Sequence, residues 1–273
     1  MTLRRLCLAA LLLALPCIAL PVATESFDHG YTDYAQLLAR HVQGSGVAYA
    51  ALKADRGALD RVTAQFDAPA AREAGWTREQ RMAFWINAYN AFTLRAIVDA
   101  YPIQSRWFTR QPRNSIRQIR GVWTTPRWRA AGRSVSLDDI EHHVLRPGFQ
   151  DARIHFAVNC ASVSCPPLAA EPYRADSLDA QLDAAARRYL ASPEGLRLDG
   201  NTLRVSSIFK WYGEDFVAEY SPIVPETRPP VERAILGVIV RFGPPDAAVR
   251  AQNGEPGIAF LDYDWALNET EPR

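Results

Sequence analysis

Apolar positions along this chain repeat at helical spacing in some stretches and alternate in others, and the changes fall at capping residues, glycines and prolines. Thr77 and Gln80 stand at capping-box spacing and predict a helix running to about Ala100, before Pro102. Met82, Phe84, Trp85, Ile86, Tyr89, Phe92, Leu94, Ile97 and Val98 cover nearly its whole circumference, which predicts a helix buried on all sides. Asn87 and Asn90 share one side of it, and buried amides need polar partners. Ser136 and Asp139 announce a second helix, which carries Glu141, His142, His143 and Arg146 and should halt at Pro147. From Arg153 to Asn159 the pattern alternates, with Ile154, Phe156 and Val158 on one face, and predicts a strand. Cys160 to Pro167 then reads as a loop, because two prolines stop both strand and helix.

Ser177 to Leu190 follows as an amphipathic helix, acidic early and basic late. Leu196–Leu198 and Leu203–Val205 flank Asp199, Gly200 and Asn201 as a hairpin, and Ser206 to Tyr212 forms a short helix. A further helix opens at Pro229 and Pro230 and ends near Gly243, while Ile258 to Leu267 reads as a closing strand. The sum is one α+β domain, with a buried central helix and further helices packed on a small, largely antiparallel sheet.

Composition narrows the class. The 273 residues are 48% hydrophobic and 22% charged, an ordinary globular balance that excludes disordered and collagen-like chains. At the N-terminus, Arg4 and Arg5 precede an apolar run from Leu6 to Leu15 and small residues near Ala19 and Ala23. Residues 1–23 therefore read as a signal peptide whose apolar run is too short for a transmembrane span of about 20 residues, and the mature protein is expected to be periplasmic or secreted. A lipid anchor on Cys17 is the alternative, against which Pro16 stands where a small residue precedes an acylated cysteine. Residues 24–48 follow as a lead-in, 49–268 as the domain and 269–273 as a tail.

Without residues 1–23 the chain holds 29 basic and 30 acidic side chains, which argues against nucleic acid as a partner. One asymmetry remains: Arg106 to Arg133 contains eight arginines and no acid, with Trp107, Phe108, Trp123 and Trp128 among them. Either this is a solvated connection in an arginine-rich protein, or it touches an anionic envelope component.

Five blocks then bring a resemblance into view. Phe84 to Ala91 (FWINAYNA), Leu137 to Arg146 (LDDIEHHVLR), His155 to Pro166 (HFAVNCASVSCP), Ser206 to Tyr212 (SSIFKWY) and Tyr263 to Asn268 (YDWALN) resemble, in the same order, those of the domain-of-unknown-function 547 (DUF547) family. The likeness spans about Tyr49 to Asn268. It implies membership and supplies no reaction, cofactor or catalytic residue.

The chemistry must come from the residues themselves. A thiol nucleophile needs a base and a group that orients the base. Cys160 with His155 or His142, and Asn87 to orient an imidazole or donate to an oxyanion, would make a thiol-dependent hydrolase or acyl transferase acting on a peptide-like or envelope substrate. Asn90, Arg146, Ser162, Ser164 and Lys210 are the candidate substrate-binding residues around it. The alternative is a non-enzymatic binding protein whose ligand loop is stapled by a Cys160–Cys165 disulfide, the first expectation for two cysteines in an oxidising compartment. No cofactor is required by the pattern, although zinc on Cys160, Cys165, His142 and His155 is compatible with the spacing.

Overall fold

The computed structural model describes residues 27–67, 73–104, 110–125, 128–253 and 255–270. The signal-peptide reading of residues 1–23 lies outside them, as do Arg106 and Arg127 of the arginine-rich stretch.

The central helix, Arg78–Ala100, forms as its pattern dictates. Gln80 N–H donates to the Thr77 hydroxyl and Thr77 N–H to the Gln80 side chain, so both halves of the capping box are made. Its apolar circumference is met on every side, and residues from Met82 to Leu94 are buried without a break. Part of that cover comes from the segment read as a lead-in. Thr32–His41 is a helix whose Tyr34, Leu37 and Leu38 enter the same core.

Strand content is low and scattered. Val42–Gln43 pairs with Gly46–Val47, Trp128–Ala130 with Arg133–Val135, and the predicted hairpin appears as Leu196–Asp199 antiparallel to Thr202–Val205. The last strand, Gly257–Phe260, joins the hairpin in parallel. It ends earlier than the pattern predicts, and the chain from Leu261 onward leaves the sheet to run past the Cys160–Cys165 loop. There Asp264 and Ala266 carbonyls accept from Ser164 and Val163.

The largest departure concerns Arg153 to Asn159. No strand forms; Ala152–Phe156 is a short 3₁₀ helix. Asp151 opens it by accepting from Arg153 N–H, and the Arg153 guanidinium then pairs with Asp151, Asp179 and Asp183, which fastens the turn to the helix Leu178–Leu190. Alternation in sequence is real but serves another geometry. Ile154 and Ala157 enter the core around the central helix, while Ala152 and Phe156 enter a second core built on the hairpin and on Pro230–Phe242. This short turn is thus the seam between two apolar clusters, and the site lies along that seam.

The second predicted helix also differs in detail. Ser136 and Asp139 cap it reciprocally, as Ser136 N–H donates to the Asp139 carboxylate and Asp139 N–H to the Ser136 hydroxyl. From Asp139 to Leu145 it is then a π-helix, a widened turn common at functional sites. Pro147 does not stop it. Arg146–Phe149 continues as one α-helical turn with the proline in its first turn, where a missing N–H costs nothing.

Candidate active site in an aromatic cleft

A cleft of about 370 Å³ opens along the seam. The π-helix supplies Glu141 and His142, the residue before it Asp138, the 3₁₀ turn His155, and the loop after it Cys160 and Cys165. Ile208, Trp211 and Tyr212 come from the short helix Ile208–Tyr212, and Tyr263 and Trp265 from the closing segment. Trp265 contacts Trp123, Trp211 and Tyr263 at ring separations of 6.3, 5.8 and 4.5 Å, so one wall is continuously aromatic. Arg117 covers the outer face of Trp265 at 4.6 Å.

At the inner end an ionic network holds the imidazoles. Asp215, from the 3₁₀ turn Gly213–Phe216, accepts from Arg146 Nε and a second guanidinium nitrogen at 2.6 and 2.9 Å, and from His155 Nε2 at 2.8 Å. Burial pushes the Asp215 carboxyl up, but the hydrogen bonds and charges of His155 and Arg146 outweigh it and hold the group well below the usual carboxylate range. An ionised Asp215 requires the proton on His155 Nε2, which leaves the lone pair of the neutral ring on Nδ1. His155 is 3% exposed and stacks on Tyr212 at 4.2 Å, so its plane is fixed.

His142 and Arg146 do share a face, and Arg146 lies 2.9 Å from His142 Nδ1. A guanidinium only donates, so Nδ1 accepts and the ring proton sits on Nε2, 3.6 Å from Asp138. His142 is therefore engaged on both sides.

Cys160 and Cys165 are free thiols, so the expected staple is not formed in the structure. Instead Cys160 N–H donates to Cys165 Sγ at 2.8 Å, while Cys160 Sγ lies 3.1 Å from Ser162 Oγ and 3.3 Å from Tyr263 Oη. Ser162 in turn donates to Tyr263 Oη at 3.2 Å. Burial keeps the Tyr263 phenol protonated, and its hydroxyl is then a donor to sulfur. The Cys165 thiol hydrogen bond pulls the Cys160 pKa down against burial, with Ser162 and Tyr263 adding to it, to about 7. Cys165 moves the other way, pushed up by burial and by the charge on Cys160. Of the two thiols, Cys160 is therefore the one that ionises first.

Backbone geometry at the nucleophile is strained. Ala161 has φ 60, a left-handed conformation that a side chain rarely adopts, and it is held there by Asn159 Oδ1 accepting from its N–H and by its carbonyl accepting from Asn268 N–H. This turn brings Cys160 round to the same cleft as His155, although an ideal strand would have set them on opposite faces.

Several expected site residues are placed otherwise. Asn87 donates to Tyr173 O at 2.8 Å and accepts from Tyr173 N–H at 2.9 Å, so its amide holds that backbone unit, and it is not on the lining of the cleft. Asn90 does face the loop, donating to Ala157 O at 3.0 Å and accepting from Asn159 N–H at 2.8 Å, and so positions the cysteine loop. Replacing Asn90 with Leu should destabilise the fold by about 3 kcal/mol, since two buried backbone groups lose their partners, and urea unfolding measures it. An unfolding midpoint unchanged from wild type would contradict this role.

Arg146 pairs with Asp215 and His142. Ser164 accepts from Asp264 N–H and its carbonyl from the Tyr189 hydroxyl, a structural position. Lys210 points to solvent, because on its five-residue helix Phe209 faces the core and Trp211 and Tyr212 face the cleft. Ser162 stays at the site as a hydrogen-bond donor. Among the described residues no group of three or more His, Cys, Asp and Glu converges to hold a metal ion, and no helix is long and apolar enough to cross a membrane.

Asp215 and Glu141 were missed as site residues. Asp215 lies in a stretch with no periodic signal, and Glu141 sits within the helix opened by Ser136 and Asp139.

A family model described as "Protein of unknown function, DUF547" matches residues 74–190. The blocks Ser206 to Tyr212 and Tyr263 to Asn268 lie beyond the matched residues. No curated protein and no solved structure matches the chain.

Proposed function

We propose, from the chemistry of the cleft in a chain whose residues 74–190 match the DUF547 family model, that the protein is a thiol-dependent hydrolase or acyl transferase. We place it in the periplasm or outside the cell, acting on a peptide-like or envelope substrate. The observation that carries this reading is a thiol of raised acidity in the same cleft as an imidazole oriented by a carboxylate.

In this reading His155 Nδ1 takes the Cys160 proton, and Cys160 Sγ forms a bond to the substrate carbonyl carbon. The departing amine or alcohol leaves with that proton. Nδ1 then takes a proton from water or an acceptor nucleophile, which attacks the thioester and frees the thiol. Tyr263 Oη, beside Cys160 Sγ, is the donor nearest the developing oxyanion, since Cys160 N–H is already bonded to Cys165.

The test is acylation by p-nitrophenyl acetate. We expect a burst of about one equivalent of nitrophenolate per chain and an acetyl group on Cys160 by mass spectrometry. Release that continues undiminished in Cys160→Ser removes the proposal.

One observation favours the alternative, a non-enzymatic envelope-binding protein: neither imidazole is hydrogen-bonded to Cys160 Sγ. Ligand would then be held by the aromatic wall rather than by a stapled loop. On either reading the arginines from Arg106 to Arg133 are the proposed contact for an anionic envelope component. Of these, Arg129 and Arg133 already pair with Asp67 and Glu73.

A further inference from the structure

The Cys165 sulfur accepts from Cys160 N–H at 2.8 Å, so the two Cα atoms lie within about 7 Å of each other, inside the span that a disulfide bridges. Both thiols are free, and both line the cleft. They are not equally placed. Cys160 is half-buried, with the Ser162 and Tyr263 hydroxyls at its sulfur. Cys165 is 6% exposed, with the Val158 carbonyl 3.9 Å from its sulfur. A molecule entering the cleft therefore meets Cys160 first, and Cys165 stands behind it.

The loop that carries the pair is held on both sides. Cys165 N–H closes a turn on Ser162 O, the N–H groups of Val163 and Ser164 donate to the Ala266 and Asp264 carbonyls, and Ala161 O accepts from Asn268 N–H. The residues between the cysteines are thus tied to the closing segment, which keeps the two side by side without a bond between them. Acyl transfer does not need a second thiol within bonding span of its nucleophile. Exchange with a disulfide does.

We infer that the Cys160–Cys165 pair reduces a small disulfide by thiol–disulfide exchange, with the ligand entering along Trp211, Tyr263 and Trp265, whose rings suit polarizable sulfur. The Cys160 thiolate bonds to one sulfur of the ligand as the ligand's S–S bond breaks, and the first thiol leaves with the proton that Cys160 gave up. Cys165 Sγ then bonds to Cys160 Sγ, the mixed disulfide breaks, and the second thiol leaves with the Cys165 proton. One disulfide is reduced to two thiols while the dithiol is oxidised to a disulfide. The first step prepares the second. Burial and the Cys160 charge push the Cys165 thiol up, and Cys160 N–H pulls it down; the mixed disulfide abolishes the charge and keeps the N–H. The pair of thiols suffices for this exchange, so it goes beyond acyl transfer and does not depend on the imidazoles.

The experiment uses the full-length chain carrying Cys7→Ser and Cys17→Ser, which leaves this pair as its only thiols. Reduced protein, freed of reductant, receives about one equivalent of 2,2′-dithiodipyridine at pH 7; thione release is followed by absorbance and the cysteine peptides by mass spectrometry. We expect about two thiones per probe consumed, a bonded Cys160–Cys165 peptide without a pyridylthio group, and reopening by dithiothreitol. Cys165→Ala, shown to be folded by circular dichroism, should instead release about one thione and keep the pyridylthio group on Cys160. In Cys160→Ala, Cys165 should react at least about tenfold more slowly than Cys160 does in the parent protein. A pyridylthio group that persists on Cys160 in the parent, a Cys165 that reacts as fast as Cys160, or a closed pair that dithiothreitol does not reopen would each overturn the assignment. A nitrophenolate burst with a persistent pyridylthio group removes exchange alone, and closure without a burst removes acyl transfer alone.

Discussion

Asp215→Asn should slow acylation of Cys160 by about a hundredfold or more, the scale of a misdirected general base, and lower stability by about 2 kcal/mol. The two effects have one origin. Asp215 accepts three hydrogen bonds, from His155 Nε2 and from the Arg146 fork, and an amide in its place offers a single uncharged oxygen. His155 then loses the partner that keeps its proton on Nε2, and Arg146 is left as a half-buried cation. Asp215 retains 26% exposure, which is why the stability loss is set below that of a fully buried pair.

The pH dependence follows from the sign of the shift. Asp215 titrates lower in the folded protein than in the unfolded chain, so its contribution is fully present above the unfolded value of about 3.9 and fades as the pH falls below it. The gap in unfolding midpoint between wild type and Asp215→Asn should therefore hold from neutral pH down to about pH 5 and narrow below about pH 4. A gap that widens on acidification would mean that Asp215 is not the ionised anchor of this network.

What was legible in the sequence was whatever a local rule controls. The capping box at Thr77 and Gln80, the turn Asp199 to Asn201 and the dipole-matched helix ending at Leu190 depend on neighbours within a few positions, and all appear as predicted. Arg153 to Asn159 failed because a two-residue alternation is also what a 3₁₀ turn shows when it feeds two cores. The deciding contacts of Arg153 reach to Asp179 and Asp183, far along the chain. The site was half legible for the same reason. Cys160, His155 and His142 stand out in the sequence because few residue types do thiol or imidazole chemistry, and all three line one cleft. Asp215 sits 60 positions from His155 and Tyr263 more than a hundred from Cys160, and no local pattern announces such pairs. Asn87 was drawn in because a buried amide must bond something, a rule that does not say what.

Cys165 is the residue whose removal should change Cys160 most, although it never touches substrate in this scheme. Its thiol is the largest influence lowering the Cys160 pKa, ahead of Ser162 and Tyr263. With that pKa at about 7, roughly half of Cys160 is thiolate at neutral pH; returned to an unperturbed value near 9, about one molecule in a hundred would be. Cys165→Ala removes the sulfur that accepts from Cys160 N–H, and with it the largest influence lowering the Cys160 pKa, while Ser162 and Tyr263 remain, so the midpoint of iodoacetamide alkylation of Cys160 should rise by between one and two pH units, and the rate at pH 7 should fall by about ten- to fiftyfold. Tyr263→Phe, which deletes a weaker donor, should move the midpoint in the same direction and by less. The assay needs reduced protein and mass spectrometry to assign the adduct to Cys160, with circular dichroism to show that the loop variant is folded. A midpoint that stays put in Cys165→Ala would leave Cys160 an ordinary buried thiol and remove the principal support for its role as nucleophile.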